Sequence, residues 1–282
     1  MENVRSTYTL KNGLEVPVVG FGTWKTPDGD DAYNAVLEAL KVGYRHIDTA
    51  AVYGNEESVG KAIKDSGLAR EEVFVTSKVW NTERGYDKTM AAFEASLEKL
   101  GMDYLDLYLI HWPAIEMQNE DWIELNKESW RALMELYKGG RVKSIGVSNF
   151  QKKHMEALRD AEILPMVNQI EFHPGWLQEE SRALCKELGI LVEAYSPNGN
   201  GKLLNDDTLL KIAEKYGKSV AQICIRWTLQ HGTLPLPKSV TPQYIKENTE
   251  VFDFEISDED MKTIDEMEYL VGVPTDPDNR DF

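Results

Sequence analysis

The stretch Met166–Tyr195, MVNQIEFHPGWLQEESRALCKELGILVEAY, decides the fold, because it holds one complete strand–helix–strand unit. Met166–Glu171 and Leu191–Tyr195 are short apolar runs of strand length, and Gln178–Leu188 between them carries apolar residues at helical spacing. A crossover of this size joins parallel strands. The same alternation runs along the chain in both directions. Further strands are expected at Val18–Gly20, Tyr44–Asp48, Val73–Lys78, Leu105–Ile110, Val142–Val147 and Thr233–Leu236. Helices are expected at Asp31–Lys41, Glu56–Ser66, Lys88–Leu100, Glu128–Lys138, Lys152–Asp160, Asp206–Tyr216 with Ser219–Gln230, and Pro242–Asn248. Eight strand–helix pairs predict an α/β fold, a closed (β/α)8 TIM barrel. Ahead of it, TLKNGLEVPVV (Thr9–Val19) has an Asn12-Gly13 turn between two extended runs and reads as an N-terminal β-hairpin. Beyond it, SDEDMKTIDEM from Ser257 reads as an extra C-terminal helix, and VGVPTDPDNRDF as a C-terminal tail placed to hang over the barrel mouth. No Pro/Ser-rich linker interrupts the pattern, so residues 1–282 read as a single domain.

Charge narrows the function. With 31 Lys and Arg against 48 Asp and Glu, the net charge is −17, and so acidic a surface argues against nucleic acid and membrane as partners. Hydrophobic residues at 42% and charged residues at 28% suit a globular core. Cys185 and Cys224 are the only cysteines, without a C-x-x-C, and read as core thiols in a reducing compartment. Neither a secretion signal nor an apolar run of about 18 residues is present, so a cytoplasmic protein is expected. The expected partner is a small molecule, and the expected state a monomer.

In such a barrel the chemistry collects at the C-terminal ends of the strands. Those ends are polar here: Asp48 closes the second strand with Tyr53 in the loop after it, Lys78 closes the third, and His111 follows the fourth. Each alone also reads as ordinary structure, a helix cap, a loop aromatic, a rim charge or a core histidine. Together they have a chemical use. An ammonium beside a phenol stabilises the phenolate and lowers a pKa that starts near 10, and a buried carboxylate keeps the lysine charged. Tyr53 would then act as a general acid.

The ordered blocks I-D-T-A-x-x-Y-G-N-E, T-S-K-V-W-N, L-Y-L-I-H-W-P, G-V-S-N-F, N-Q-I-E-F-H-P, A-Y-S-P and L-P-K-S resemble the aldo-keto reductases from Leu10 to the tail, most of all small members of the 2,5-diketogluconate reductase and prostaglandin F synthase type. The resemblance implies that Asp48, Tyr53, Lys78 and His111 form a catalytic tetrad in an NADP-dependent carbonyl reductase, with Tyr53 as proton donor and His111 holding the carbonyl oxygen. It implies aldehydes, α-dicarbonyls or keto compounds as substrates, with Trp24, Trp80 and Trp112 lining their entrance. No metal is implied.

The cofactor is also read from strand ends. Ser148, Asn149 and Gln169 supply hydroxyl and amide groups suited to a carboxamide, and Tyr195 offers a flat face for stacking. By resemblance these hold a nicotinamide, with Gly22, Thr23, Asp48 and Ser196 alongside. Gly20-Phe21-Gly22-Thr23-Trp24-Lys25 is not a dinucleotide fingerprint, since Lys25 replaces the third glycine and no Rossmann unit follows. Lys238, Ser239, Val240 and Thr241 open a helix that ends near Glu247 and Asn248, and a lysine with hydroxyls suits a phosphate. By resemblance this is the 2′-phosphate site of NADP(H), with Glu247 and Asn248 on the adenine. Two residues depart from the family pattern: Tyr244 stands where an arginine is usual, and Asn198 where a leucine is usual. NAD(H) is therefore expected as a second, weaker cofactor. Two rival readings are a Schiff-base lyase using Lys78 and a non-catalytic nucleotide-binding subunit.

Overall fold

The computed structural model describes residues 3–271 and 276–279. At the N-terminus β1 (Thr7–Thr9) and β2 (Glu15–Pro17) pair antiparallel. The turn between them is set by Gly13 at φ 83° and by the Leu14 amide, which donates to Asn12 Oδ1 at 3.1 Å. This expected hairpin meets the chain just ahead of two barrel strands: Tyr8 donates to the Thr233 carbonyl and Asn12 to that of Lys143. It therefore covers the N-terminal end of the barrel, opposite the polar strand ends.

Eight parallel strands follow, β3 (Phe21–Gly22), β4 (His46–Asp48), β5 (Phe74–Val79), β6 (Leu107–Ile110), β7 (Ile145–Ser148), β8 (Val167–Glu171), β9 (Leu191–Tyr195) and β10 (Leu234–Leu236), each beside the next. The ladder between β10 and β3 is reduced to two backbone hydrogen bonds, Gly20 N–H to Pro235 O and Gly22 N–H to Pro237 O, both 3.0 Å. A strand residue presents its N–H and C=O to the same side, so prolines at 235 and 237 can accept across this seam and never donate. The other side of the seam is glycine for steric reasons. A Cβ on Gly20 would lie 2.5 Å from Leu236 Cδ2 and one on Gly22 would lie 3.1 Å from Leu236 O. This goes with one correction: of Val18–Gly20, expected as the first strand, Val18 and Val19 form a bend, and the strand lies at Phe21–Gly22, where the chain pairs with Ile47 and Asp48 of β4.

Around the strands lie α1 (Asp30–Val42), α2 (Glu56–Asp65), α3 (Tyr86–Leu100), α4 (Trp122–Lys138), α5 (Lys152–Glu156), α6 (Glu179–Glu187), α7 (Asp207–Tyr216), α8 (Val220–Gln230) and α9 (Pro242–Glu247), with the extra helix α10 (Asp258–Asp265) after them. Two differ from expectation. Helix α4 begins well ahead of Glu128, because the Asn126 side chain bonds both the N–H and the C=O of Ala114, at 2.8 and 3.0 Å, and so pins the added turns to the loop after β6. Helix α5 stops at Glu156, short of Asp160, since Leu158, Arg159 and Ala161 donate to the carbonyls three residues back and the chain runs on in turns. Cys185 and Cys224 are buried free thiols. Among the described residues no helix is long and apolar enough to cross a membrane.

Of the tail, residues 272–275 and 280–282 lie outside the described residues. Asp278 pairs with Lys153 Nζ at 2.6 Å and with His154 Nε2 at 3.0 Å, docking the described part on α5, next to the C-terminal end of β7.

Helix α2 leads out of the loop that carries Tyr53, and its seating depends on Gly60, where a Cβ would overlap the Leu100 backbone at the end of α3. Backbone cannot swing aside as a side-chain tip can. Gly60→Ala should therefore lower stability by at least ~1–3 kcal/mol, the usual range for overpacking, read as a shift in the denaturant midpoint. A change within ~0.5 kcal/mol, typical of a surface substitution, would mean that this contact does not limit the helix pair.

Candidate active site

Lys78 sits on β5 with its whole side chain buried, and its ammonium has three N–H groups to place. All three find acceptors on β4 or just beyond it: Asp48 Oδ1 at 2.7 Å, the Thr49 carbonyl at 2.9 Å and the Tyr53 hydroxyl at 3.3 Å. Tyr53 reaches this point because the chain after β4 turns through a short 3-10 helix, Ala51–Tyr53, and leaves it at Gly54 in the left-handed region, φ 69°. Buried Asn55 locks that loop, accepting from the Thr49 hydroxyl and donating to the carbonyls of Thr23 and Thr26. His111, one residue past β6, stands edge-on to Tyr53 at 5.6 Å and to Trp80 at 5.1 Å between ring centroids. All four candidate residues thus meet at one point on the rim.

Burial opposes the charge on Lys78, but Asp48 and Tyr53 outweigh it and hold the ammonium above its ordinary range. For Tyr53 the balance goes the other way from the expectation. Burial raises the phenol, Lys78 pulls it down by charge and hydrogen bond, Asp48 pushes it up, and the sum lies above the usual value. The lysine therefore moderates the rise instead of lowering the pKa outright. Burial, with Lys78 beside it, drives His111 well below the usual imidazole value, so the ring is neutral at pH 7 and has a single N–H to give. Its Nδ1 has no partner among the described residues.

The expected cofactor residues divide into two groups. In the first, Ser148 donates to the Gln169 carbonyl, Asn149 Nδ2 to the His111 carbonyl and to Ser148 Oγ, and the Tyr195 hydroxyl to Asn149 Oδ1 at 2.8 Å. Gln169 donates to Asp48 Oδ2 at 2.9 Å, so this group is continuous with the tetrad. Asn149 and Ser196 have φ of 62° and 52°, and Lys25 beyond β3 has 58°, so three strand ends carry backbone strain on the rim. Asn198 Oδ1, just past β9, is a buried acceptor without a partner among the described residues. Amides, hydroxyls and an unused acceptor fit the carboxamide of a nicotinamide cofactor. The second group follows β10. Lys238, Val240 and Thr241 are exposed, and the Ser239 hydroxyl accepts from the Thr241 amide. Glu247 is held by Gln243, Asn248 is buried, and Tyr244 is exposed on α9. The two groups are bridged by Gly22, which bonds Pro237 O, and by Thr23, whose hydroxyl donates to the Asp48 carbonyl.

Of the three tryptophans, Trp24 is 43% exposed and Trp80 part-buried, whereas Trp112 is almost wholly buried. The accessible aromatic surface is therefore that of Trp24 and Trp80. Two residues escaped the sequence reading. Arg84 clamps the carbonyls of Trp112 and Pro113, and nothing in its local sequence signals this. Glu193 lies in the barrel interior, bonded to Gln169 at 2.8 Å, and its signal was a lone charge inside the apolar run LVEAY.

The Aldo/keto reductase family matches residues 18–268. The chain is 53% identical over 277 residues to the glyoxal reductase of Bacillus subtilis, covering 98% of each, and 46% identical over 275 residues to the 9,11-endoperoxide prostaglandin H2 reductase of Trypanosoma cruzi, covering 96% of this chain and 94% of that one. Its structure matches that of a Gox0644 mutant in complex with NADPH with a TM-score of 0.90 at 42% identity, covering 99% of each. By family match, identity and fold together, the chain belongs to the aldo/keto reductases and is an oxidoreductase.

Proposed function

We propose that this barrel is an NADPH-dependent reductase of small carbonyl compounds, aldehydes and α-dicarbonyls foremost, in which Tyr53 is the proton donor. When bound, NADPH supplies the hydride that the carbonyl carbon takes up. Tyr53 gives its proton to the oxygen as negative charge grows there, turning C=O into CH–OH. Lys78, fixed by Asp48, stabilises the phenolate left behind. His111 donates its one N–H to the same oxygen, orients the carbonyl and lowers the barrier by meeting charge where it develops. Ser148, Asn149 and Gln169 hold the carboxamide and Tyr195 stacks on the ring, while Lys238, Ser239 and Thr241 take the 2′-phosphate. Because α9 has only six residues, the phosphate is held by the Lys238 charge and the hydroxyls and not by a helix dipole.

The observation that carries this reading is the saturated ammonium of Lys78. An amine with every N–H engaged and its pKa raised is not poised to attack a carbonyl, which disfavours the Schiff-base alternative. It is poised to hold a phenol. Exposed Trp24 and part-buried Trp80 offer apolar walls with few fixed charges, which favours broad use of small neutral carbonyls and agrees with the name of the Bacillus subtilis relative.

Tyr53→Phe should reduce turnover at least ~100-fold on a panel of glyoxals and simple aldehydes while leaving NADPH binding, measured by fluorescence quenching, unchanged. Turnover within about tenfold of the parent, or a panel in which one charged substrate is used and every neutral aldehyde rejected, would sink the assignment.

Cofactor choice is tested separately. Tyr244 cannot make the charge-assisted contact of an arginine, and such contacts are worth ~1.5–3 kcal/mol each, so NADPH should be preferred with measurable NADH activity. Tyr244→Arg should widen the preference roughly tenfold or more through the KM for NADPH, and Lys238→Ala should narrow or reverse it. If neither variant moves the ratio of kcat/KM values, the phosphate binds elsewhere.

A further inference from the structure

Side chains alternate along β9, so Glu193 points into the barrel between Leu191 and Tyr195, with no exposed surface. Its Oε2 accepts from Gln169 Nε2 at 2.8 Å, and its Oε1 has no partner among the described residues. A side-chain amide has two N–H groups, and the other donates to Asp48 Oδ2 at 2.9 Å. Asp48 Oδ1 takes Lys78, which reaches the phenol. An unbroken line of hydrogen bonds therefore runs from Glu193 through Gln169, Asp48 and Lys78 to Tyr53.

We propose that Glu193 is a positioning residue for the proton donor: through Gln169 it holds Asp48 against Lys78, and the charge on its own carboxyl sets how easily Tyr53 releases a proton. The inference rests on the assignment of Tyr53 as that donor. Two ionised carboxylates cannot share one amide and one ammonium in a dry interior without a penalty. Burial first, and Asp48 second, push the Glu193 carboxyl up to about 8, while Gln169 and Lys78 pull it back. The groups facing it are Gln169 on β8, Asp48 on β4 and Lys78 on β5, and its register partner on β10 is apolar Leu234. His46, two residues before Asp48, is held down to about 3 by burial and by Lys78, and so stays neutral throughout.

The sign follows. Below its transition Glu193 is a neutral acid and Asp48 is the sole counter-charge to Lys78. Above it, the proton has gone to solvent and a second negative charge faces the pair, which disfavours the phenolate and makes Tyr53 a weaker acid. Carbonyl reduction should therefore decline as pH rises through about 8, ahead of any ionisation of the phenol itself.

Glu193→Gln keeps the shape of the neutral acid and removes the titration. In steady-state aldehyde reduction, with each profile normalised to its value at about pH 6, the parent should fall with a midpoint near 8 and the variant should stay flat over that range. In the cofactor-free protein, difference infrared spectra between about pH 6 and about pH 10 should show a buried carboxylic-acid C=O band that disappears in the parent and is missing in the variant. The Tyr53 phenolate absorbance, isolated by subtracting a Tyr53→Phe blank, should titrate at least ~0.5 unit lower in Glu193→Gln. A variant profile that declines as the parent does, or a parent without the infrared band, overturns the proposal, and the infrared titration of the parent decides even if the variant does not fold. A Tyr53→Phe enzyme that retains turnover overturns the proton-donor reading instead. An inactive Tyr53→Phe with an unmoved Glu193→Gln profile overturns only the role of Glu193.

Discussion

A lysine ammonium with no exposed surface is the constraint from which the rest of the site follows. Removing such a charge from water costs several kcal/mol, and the cost is met only if every N–H has an acceptor and a counter-ion lies in contact. The acceptors must come from a neighbouring element at fixed height. Parallel pairing of β4 with β5 supplies that height, since the register sets Asp48 opposite Thr76 and leaves Lys78 one side-chain step above. The chain beyond Asp48 then has to provide the Thr49 carbonyl and a hydroxyl within reach, which is why the loop turns tightly through Ala51–Tyr53 and why Asn55 ties it down. Chemistry and folding make the same demand here: the phenol completes the lysine's coordination and is oriented by doing so.

The same logic extends around the rim. Backbone at Lys25, Asn149 and Ser196 is held in a conformation that costs of order 1 kcal/mol or more per residue, and each lies where a strand gives way to a loop. Surrounding bonds enforce it. Asn149, for instance, receives the Tyr195 hydroxyl and reaches both His111 and Ser148, so its strained backbone aims one amide at three strand ends. A rim built this way is stiff before any ligand arrives, and positioning is then largely complete in the free protein.

Much of this was legible in the sequence because barrel chemistry sits at strand ends, and polar residues at the ends of apolar runs are conspicuous. Asp48, Lys78 and His111 announced themselves in this way, and Tyr53 followed from its place in the loop. What failed to show has physical reasons. The early start of α4 depends on Asn126 meeting Ala114, a contact that helical periodicity cannot register. The shift of the first strand depends on which backbone closes the barrel, a tertiary question. The pKa of Tyr53 departs from the expectation because chemical neighbours can be read from residue types, whereas the depth of burial that outweighs Lys78 cannot. Glu193 is visible as a charge in an apolar run, but nothing in the sequence links it to Gln169 on the neighbouring strand, and only the shared amide connects the two.

The seam between β10 and β3 has a kinetic side. It joins the first barrel strand to the last, the most widely separated pair of strands in the sheet, and therefore the pair whose loop-closure entropy is largest. It is also held by two one-way bonds from glycine amides to proline carbonyls, the sparsest pairing in the sheet. A chain assembled from local strand–helix units would accordingly complete every other ladder first and zip this one last. Since Gly22 and Pro237 form one of the two bonds and Thr23 is bonded to Asp48, that final step is also the one that joins the Lys238 side of the rim to the Asp48 side. Folding intermediates of this protein would then be barrels with seven ladders made and a functional site still in halves.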